Sequence, residues 1–168
     1  MSHTDLDVLA VNPAGSKYFL VGDVGGTNTR MMLKTANGDI IKRVDSKTSN
    51  FTDFAAVLNF FLEDVSQKPP KIYAAVCFAS KILHNKTVTN ANYSWPSTDG
   101  DHIKEQFGFK EMVLLNDFEG CGYSVPILDR EQIIALTAGT ELPALKGNFK
   151  VMLVGPGTGL GVCLLSQK

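Results

Sequence analysis

The sequence has 168 residues, with 16 basic and 17 acidic side chains and a formal net charge of −1. This balance excludes the basic surface typical of nucleic-acid-binding proteins and the polybasic segments that attach proteins to membranes. Hydrophobic residues make up 44% of the chain, yet no apolar run approaches the roughly 18 residues that span a bilayer. Length and composition therefore predict a globular protein with one domain, or a small domain followed by the start of a second.

The N-terminus and the cysteines indicate where the protein works. Residues 1–17 lack a basic region followed by an apolar stretch, which favours a flexible tail over a secretory signal. Cys77, Cys121 and Cys163 form no C-x-x-C motif and have no histidine at metal-ligand spacing. We expect them to be reduced, mostly buried thiols of a cytoplasmic protein, with a disulfide or a reactive thiol as the minor alternative.

The first elements predicted along the chain form an antiparallel meander. An apolar run at 18–23 predicts a buried strand, and 30–34 predicts a second strand that returns beside it. Asn37-Gly38 is a strong two-residue hairpin signal, so a third strand is expected to begin at Ile40. These three strands open the fold.

A helix and a strand are predicted next. Apolar residues recur at helical spacing over 51–65, with Thr52 or Asn50 available as the N-cap, and 72–78 is a continuous apolar run of strand length. The remaining elements expected in chain order are two short strands within 81–90, a helix over 99–107, a strand over 112–115, a helix over 118–124, a short helix or turn over 129–136, and two hairpin strands at 150–154 and 162–165.

This order of elements predicts an α/β fold with a mixed sheet, an opening antiparallel meander and flanking helices. The last two strands are expected to be the first β-hairpin of a second domain. The chain is accordingly divided into a flexible tail (1–17), a small N-terminal α/β domain (18–136), and a connection with the truncated start of a larger domain (137–168).

The first group of residues suited to chemistry lies between the first two strands. Gly25 and Gly26 allow backbone N–H groups to approach phosphate oxygens, and Thr27 and Asn28 can add donors. Asp23 is suited to holding Mg²⁺ through water, because Mg²⁺ prefers a few carboxylates together with phosphate oxygens. The alternative is an ordinary β-hairpin with a glycine bulge, which uses the same residue types.

A second glycine-rich segment joins the last two predicted strands. Four glycines lie within 155–161, but no Gly-Lys-Ser/Thr follows them, so the segment is not a Walker A loop. The dinucleotide-binding pattern also fails, because its third glycine would fall on Leu160 and a strand follows instead of a helix. The segment is therefore interpreted as a strand–turn–strand phosphate clamp, with Gly157, Thr158 and Gly159 at its centre and the Thr158 hydroxyl as a donor.

Asn116-Asp117 ends the strand predicted at 112–115. A carboxylate at the C-terminal end of a buried strand, at the mouth of an α/β sheet, is well placed to act as a general base. The alternative role for Asp117 is a helix N-cap, which aspartate commonly fills. The residues alone leave both roles open.

Three motifs occur in order: Asp-x-Gly-Gly-Thr-x-x-Arg at 23–30, Asn-Asp-Phe at 116–118 and Gly-x-Gly-Thr-Gly-Leu-Gly at 155–161. Together they resemble the bacterial-type glucokinases, which belong to the sugar kinase, Hsp70 and actin superfamily. The resemblance runs from residue 19 to about residue 165 and implies a ribonuclease-H-like fold. Thr89-Asn90 followed by Trp95 is also similar to the family's Thr-Asn-x-x-Trp stretch, with two extra residues before the tryptophan.

The resemblance implies a role for each segment. Residues 23–29 and 155–161 would be two phosphate-binding loops for ATP with Mg²⁺, and Arg30 would also contact the nucleotide. Asn116 and Asn90 would bind sugar hydroxyls, and Asp117 would take the proton from the 6-hydroxyl of glucose. The implied protein is a cytoplasmic, ATP-dependent glucokinase of glycolysis that binds glucose or a related hexose, no nucleic acid and no membrane. A homodimer stays open.

The chain departs from the family pattern in two ways. Segment 78–83 reads Phe-Ala-Ser-Lys-Ile-Leu and lacks the family's Pro/Gly pair. Family enzymes also continue beyond the second glycine loop with further sugar- and adenosine-binding segments. We therefore expect this chain to be the N-terminal portion of a glucokinase and to be inactive alone. Two alternatives remain: a non-catalytic sugar- or phosphate-binding relative that acts as a sensor or partner module, and a half-enzyme that completes its site with another chain.

Overall fold

A computed structural model describes residues 16–65, 69, 71–87, 94–137, 148–156 and 160–167 of the chain. The chain forms two compact units, one ending at Asn116 and the other beginning at Asp117. Residues 1–15 of the predicted flexible tail lie outside the described residues. The domain ranges expected from the sequence, 18–136 and 137–168, stay predictions.

The described part of the first unit contains seven strands and two α-helices. In chain order these are β1 (Tyr18–Val24), β2 (Asn28–Thr35), β3 (Ile40–Lys47), α1 (Phe54–Leu62), β4 (Ile72–Phe78), β5 (Ile82–Leu83), β6 (Lys86–Thr87), α2 (Gly100–Phe107) and β7 (Glu111–Asn116). A 3₁₀ turn at Thr48–Asn50 connects β3 with α1, and β5 pairs with β6 as a small separate hairpin.

Five strands form one mixed sheet in the order β3-β2-β1-β4-β7. β1, β2 and β3 are antiparallel neighbours, whereas β4 is parallel to β1 and β7 is parallel to β4. The parallel pairs are connected through α1 and α2, since parallel strands cannot be joined by a tight turn. The predicted α/β fold with a mixed sheet, an opening meander and flanking helices is confirmed.

The core lies on one face of this sheet. Alternate residues of β1 are buried, with Tyr18 and Leu20 fully covered, since successive side chains of a strand point to opposite faces. α1 adds Phe54 to the same cluster, and its ring meets Phe78 edge-on with 5.2 Å between centroids. Burial of each such large apolar side chain stabilises the fold by about 1.5–3 kcal/mol. The opposite face is more open, and Phe19 is 40% exposed.

The hairpin turn predicted at Asn37-Gly38 is confirmed. Gly38 has φ +97° between β2 and β3, and Gly108 has φ +65° where α2 ends. Both conformations disfavour a side chain, so glycine is the suitable residue. His84 and Asn85 also have positive φ between β5 and β6, as a two-residue type I′ hairpin requires.

The start of α1 differs from the prediction. The helix begins at Phe54, and its N-cap is Asp53, not Thr52 or Asn50. The Asp53 carboxylate accepts a hydrogen bond from Ala56 N–H at 2.7 Å. The preceding residues 48–50 form the 3₁₀ turn, which moves the first free helix N–H groups downstream.

The second unit pairs a short helix with a β-hairpin. α3 (Asp117–Ser124) packs against β9 (Leu160–Gln167), which is antiparallel to β8 (Phe149–Pro156). The predicted helix and hairpin are confirmed, and 3₁₀ turns occur at Val125–Ile127 and Arg130–Gln132. None of the described helices exceeds the nine residues of α1, whereas a helix that crosses a membrane needs about 20 apolar residues.

The prediction that the three cysteines are mostly buried is wrong. Cys121 on α3 is exposed, whereas Cys77 and Cys163 are half-buried. Cysteine usually behaves as a small buried hydrophobe. Whether a cysteine on a short helix is buried depends on which face of the helix packs against its neighbours. Amino-acid composition does not determine that face.

Candidate functional site

The carboxyl ends of three parallel strands meet at one edge of the sheet. Val24 of β1 lies beside Phe78 of β4, and Phe78 lies beside Asn116 of β7. The N–H of Ala79 donates to Val24 O at 3.0 Å, which holds the segment after β4 against the end of β1. Ligands of open α/β sheets bind at this edge. The structure therefore brings Asp23 and Asn116 to the same edge.

Asp23 lies one residue before the end of β1 and forms an ion pair with Arg30 of β2. Its Oδ2 accepts from Arg30 Nη1 at 2.9 Å, and Arg30 Nε lies 3.7 Å from Asp45 of β3. The three residues are opposite one another across the three strands. All three side chains are about half exposed, so each pair contributes at most about 1 kcal/mol. The effect is mainly geometric, because Arg30 is held between two carboxylates.

The turn between β1 and β2 is held by hydrogen bonds from Thr48. Gly25 N–H donates to Asn28 O at 2.9 Å and closes the turn. The Thr48 hydroxyl donates to Gly25 O at 2.7 Å and lies 3.0 Å from the buried Thr29 hydroxyl. Because a hydroxyl carries one proton, Thr48 accepts from Thr29. Lys47 Nζ donates to Asn28 Oδ1 at 2.9 Å, which also restrains the turn.

This geometry narrows the set of phosphate donors predicted for the turn. Gly25 N–H is already used inside the turn, whereas the N–H groups of Gly26 and Thr27 have no acceptor among the described residues. The two strands form a hairpin, but the glycine bulge considered as the alternative is wrong. Among the described glycines, positive φ occurs at Gly38 and Gly108 only, and such a bulge requires it.

Asn116, the last residue of β7, is half-buried, and its Nδ2 donates to Ser80 O at 3.1 Å. The strand that carries it is held by the side-chain amide of Asn85. Asn85 Oδ1 accepts from Leu114 N–H at 2.8 Å, and Asn85 Nδ2 donates to Met112 O at 3.0 Å. β7 is the last strand on its side of the sheet. The amide therefore pairs backbone groups that an edge strand otherwise leaves open.

Asp117 begins α3 and is half-buried. Its Oδ1 accepts the N–H of the next residue, Phe118, at 3.0 Å. A helix N-cap accepts from the second or third residue beyond it, so this carboxylate does not cap α3 in the usual way. Within the described residues no further hydrogen bond reaches it, which leaves Oδ2 able to accept a proton. The role of general base stays a prediction.

Phe118 packs on the glycine-rich hairpin. Its ring lies against Gly155 of β8 and Gly161 of β9, which are register partners. A Cβ atom at either glycine would overlap the ring. One turn further along α3, Gly122 lies against Cys163 Sγ, so the same face of the helix meets the hairpin twice. Two of the motif glycines are therefore explained by close packing.

Four predicted site residues lie outside the described residues. Asn90 belongs to the stretch expected to bind sugar, and Gly157, Thr158 and Gly159 form the centre of the second glycine segment. Their roles stay predictions.

A metal ion at the sheet edge would depend on few protein ligands. In the part of the chain that the structure describes, no three His, Cys, Asp or Glu side chains come together in a way that could hold an ion. Mg²⁺ fits such a site, because it is usually bound by one or two carboxylates plus phosphate oxygens and water. Asp23 matches that donor set, since its half-exposed carboxylate has Arg30 on Oδ2 and no hydrogen-bond partner for Oδ1 among the described residues.

Sequence reasoning missed Thr48, Lys47 and Asn85. None of them lies in a glycine-rich motif, and each acts on a segment at least 19 residues away. The sequence signals for these residues are the polar stretch 47–50 after β3 and the His84-Asn85 turn. Neither signal identifies the backbone or side-chain group to which the residue bonds.

The family-model comparison and the curated relatives both give glucokinase. The Glucokinase family model matches residues 20–168. A glucokinase from Cronobacter sakazakii (strain ATCC BAA-894) is 30% identical over 151 residues, which are 89% of this chain and 44% of that relative. The chain therefore spans less than half the length of the curated relatives that it matches.

Solved structures have the same fold. A glucokinase from Balamuthia mandrillaris in complex with glucose matches with a TM-score of 0.62 and 20% identity, over 97% of this chain and 50% of that chain. A ROK family glucokinase from Streptomyces griseus in complex with glucose and AMPPNP matches with a TM-score of 0.54 and 17% identity, over 90% of this chain and 44% of that chain. At these identities the likeness shows the fold alone.

Proposed function

This chain belongs to the glucokinase family, and we propose that it supplies part of a site that transfers the γ-phosphoryl group of ATP to the 6-hydroxyl of glucose. The observation that carries the proposal is the edge where β1, β4 and β7 end. Asp23 and Asn116 lie there on strands two positions apart, about 10 Å in backbone distance. Glucose and ATP are proposed as ligands because the chain belongs to the glucokinase family. Two solved structures with the same fold contain glucose, and one of them also contains AMPPNP.

On the sugar side, Asn116 and Asn90 bind hydroxyl groups and Asp117 acts as the general base. The 6-hydroxyl oxygen attacks the γ-phosphorus while its proton passes to Asp117 Oδ2. The bond from the γ-phosphorus to the bridging oxygen breaks, and ADP leaves with that electron pair. A carboxylate is sufficient as the base, because phosphoryl transfer depends mainly on positioning and charge neutralisation.

On the phosphate side, the N–H groups of Gly26 and Thr27, which have no acceptor among the described residues, supply donors, and the exposed Thr27 hydroxyl adds another. Asp23 would hold Mg²⁺, and the bound ion would neutralise phosphate charge. Arg30 keeps the Asp23 carboxylate in place and has a further N–H group for phosphate. Gly157, Thr158 and Gly159 complete the second loop.

The substitution Asp117→Asn tests the base in the full protein. Asparagine keeps an oxygen that can accept the Phe118 N–H, so the fold is expected to survive. It cannot take a proton, so glucose-dependent ADP formation with Mg-ATP is expected to fall by about 10²- to 10⁴-fold in kcat. Asp129→Asn, an exposed aspartate of the same unit, is the matched control and should retain full activity.

Other outcomes would separate the alternatives. Full activity in Asp117→Asn would remove Asp117 from the base role and leave the sugar kinase assignment standing. Glucose binding by the unmodified protein without ADP formation would favour the non-catalytic sugar-binding relative. Activity that requires mixing with a second chain would favour a half-enzyme.

The proposal extends to the setting of the protein. Cysteines that are expected to be reduced and the proposed use of ATP suit the cytoplasm, where thiols stay reduced. Glucose 6-phosphate formation would place the reaction at the entry to glycolysis. A homodimer is tested by sedimentation of the full protein at several concentrations.

A further inference from the structure

We propose that Phe118 is a positioning residue that ties the base Asp117 to the second glycine loop. The inference rests on the proposed function, since it concerns how that site is aligned. It starts from the close packing of the Phe118 ring on Gly155 and Gly161. A Cβ atom at either glycine would overlap the ring.

Different parts of Phe118 contact Asp117 and the hairpin. Its N–H donates to Asp117 Oδ1 at 3.0 Å, which orients the carboxylate. Its ring lies across β8 and β9 at the Gly155–Gly161 pair. One residue thus joins the carboxylate to the hairpin, and a phenylalanine side chain has only two torsions to fix on packing.

The Gly155–Gly161 pair lies next to Pro156 with Leu160, the last register pair that the structure describes in this hairpin. A ring seated across both strands restrains β8 and β9 at this level. Gly155 and Gly161 accommodate Phe118. Under the proposed function, the phosphate donors come from the other residues of the same motif.

The helix itself supports this interpretation. α3 contains Gly120 and Gly122, each of which costs about 1 kcal/mol in a helix relative to alanine. Gly122 is buried and lies against Cys163 Sγ, so its lack of a side chain allows the close approach of α3 to β9. The approach brings Phe118 onto the glycine pair one turn earlier.

The test uses Phe118→Ala and Phe118→Leu in the full protein. If Phe118 aligns base and loop, Phe118→Ala should lower kcat by about 10- to 100-fold, because a misplacement of about 1 Å can cost that much. The KM for ATP and the Kd of Mg-ATP from calorimetry should both rise several-fold, whereas the KM for glucose should stay within about twofold. Phe118→Leu, which keeps most of the volume, should give a smaller loss.

Two further measurements separate positioning from general stability. In the Asp117→Asn background, Phe118→Ala should cause little extra loss of kcat, because groups that act together are non-additive. Gly161→Ala should damage the protein with Phe118 present and be relieved in the double variant with Phe118→Ala, since removal of the ring makes room for the methyl group. Each variant is assayed at the same interval below its own Tm.

Several outcomes would overturn the inference. Suppose that phosphoryl transfer needs Asp117 but that Phe118→Ala keeps the kcat and the ATP affinity. This result would contradict the inference and leave the proposed function intact. If the losses of kcat and ATP affinity vanish when each variant is assayed at the same interval below its own Tm, Phe118 contributes to stability only. An unmodified protein that transfers no phosphoryl group would remove the proposed function and this inference together.

Discussion

The turn between β1 and β2 and the hairpin of β8 and β9 have similar glycine-rich sequences but are held by different contacts. In the first turn, polar groups bond to the backbone, with Thr48 on Gly25 O and Lys47 on Asn28. In the hairpin, the Phe118 ring covers Gly155 and Gly161, which lie near the loop end of β8 and β9. Glycine therefore has two meanings in these motifs. In one it leaves backbone groups accessible, and in the other it makes room for a neighbour.

The largest difference should appear when matched glycines are given a methyl group. Gly155→Ala places a Cβ inside the Phe118 ring, and overpacking of this kind is expected to cost about 3 kcal/mol of unfolding free energy. Gly25→Ala places its Cβ 3.3 Å from Asn28 O at an ordinary φ, so this oxygen must move by a few tenths of an ångström. The expected cost is about 1 kcal/mol, smaller than that of Gly155→Ala. Urea unfolding of both variants measures the contrast.

The comparison would fail if the two alanine variants unfolded at the same urea concentration. It would also fail if Gly155→Ala were not relieved by shortening Phe118. In either case the ring would not be the reason for glycine at position 155.

The next effect concerns the polar contacts of the first turn. Thr48→Val removes the hydroxyl and keeps the shape, which leaves Gly25 O and the Thr29 hydroxyl without their partner. Thr48 is 1% exposed, so the loss is expected to be about 1–3 kcal/mol. Thr52→Val, at an exposed threonine nearby, should change the unfolding free energy by less than about 0.5 kcal/mol.

The same pair of variants tests whether the first turn binds phosphate. Thr48→Val should weaken Mg-ATP binding in the full protein, because the turn that presents Gly26 and Thr27 loses its fixed position. Thr52→Val should not. Equal Mg-ATP affinity in the two variants would contradict the proposal that the first turn binds phosphate.

Much of the fold could be predicted because local patterns fix local structure. The apolar run at 72–78 coincides with β4, Asn37-Gly38 marks the β2–β3 turn, and α2 ends where Gly108 takes a left-handed conformation. Each of these depends on neighbours along the chain. The placement of Asp23 and Asn116 at one edge follows from the same patterns, since parallel strands end together.

The contacts that could not be predicted join segments far apart in the sequence. Thr48 lies 23 residues from Gly25, and Asn85 lies 29 residues from Leu114. Periodicity identifies which residues face a core, but it does not identify the partner of a buried hydroxyl or amide. For the same reason the sequence places Gly157, Thr158 and Gly159 at the centre of a phosphate clamp but does not show that Gly155 and Gly161 accommodate Phe118.

The smallest effect is a difference in acid sensitivity between the two units. The first unit contains an ion pair in which Lys86 Nζ lies 2.6 Å from Asp99, the N-cap of α2. The hydrogen bond from Lys86 holds the pKa of the Asp99 carboxyl below its ordinary value. A lowered pKa stabilises the folded state above the unfolded pKa of about 3.9, and this contribution is lost as the pH falls through the folded value.

Asp99→Asn isolates this contribution. Asparagine still accepts the N–H bonds that cap α2 but does not titrate, so the variant should unfold slightly more easily at neutral pH and lose less stability between pH 6 and about pH 2. Asp129→Asn in the second unit, where no ion pair is recorded among the described residues, should follow the unmodified protein throughout. Urea midpoints across this range measure all three curves. Parallel curves for Asp99→Asn and the unmodified protein would mean that the ion pair contributes nothing, as is common for exposed pairs, and that the cap alone holds α2.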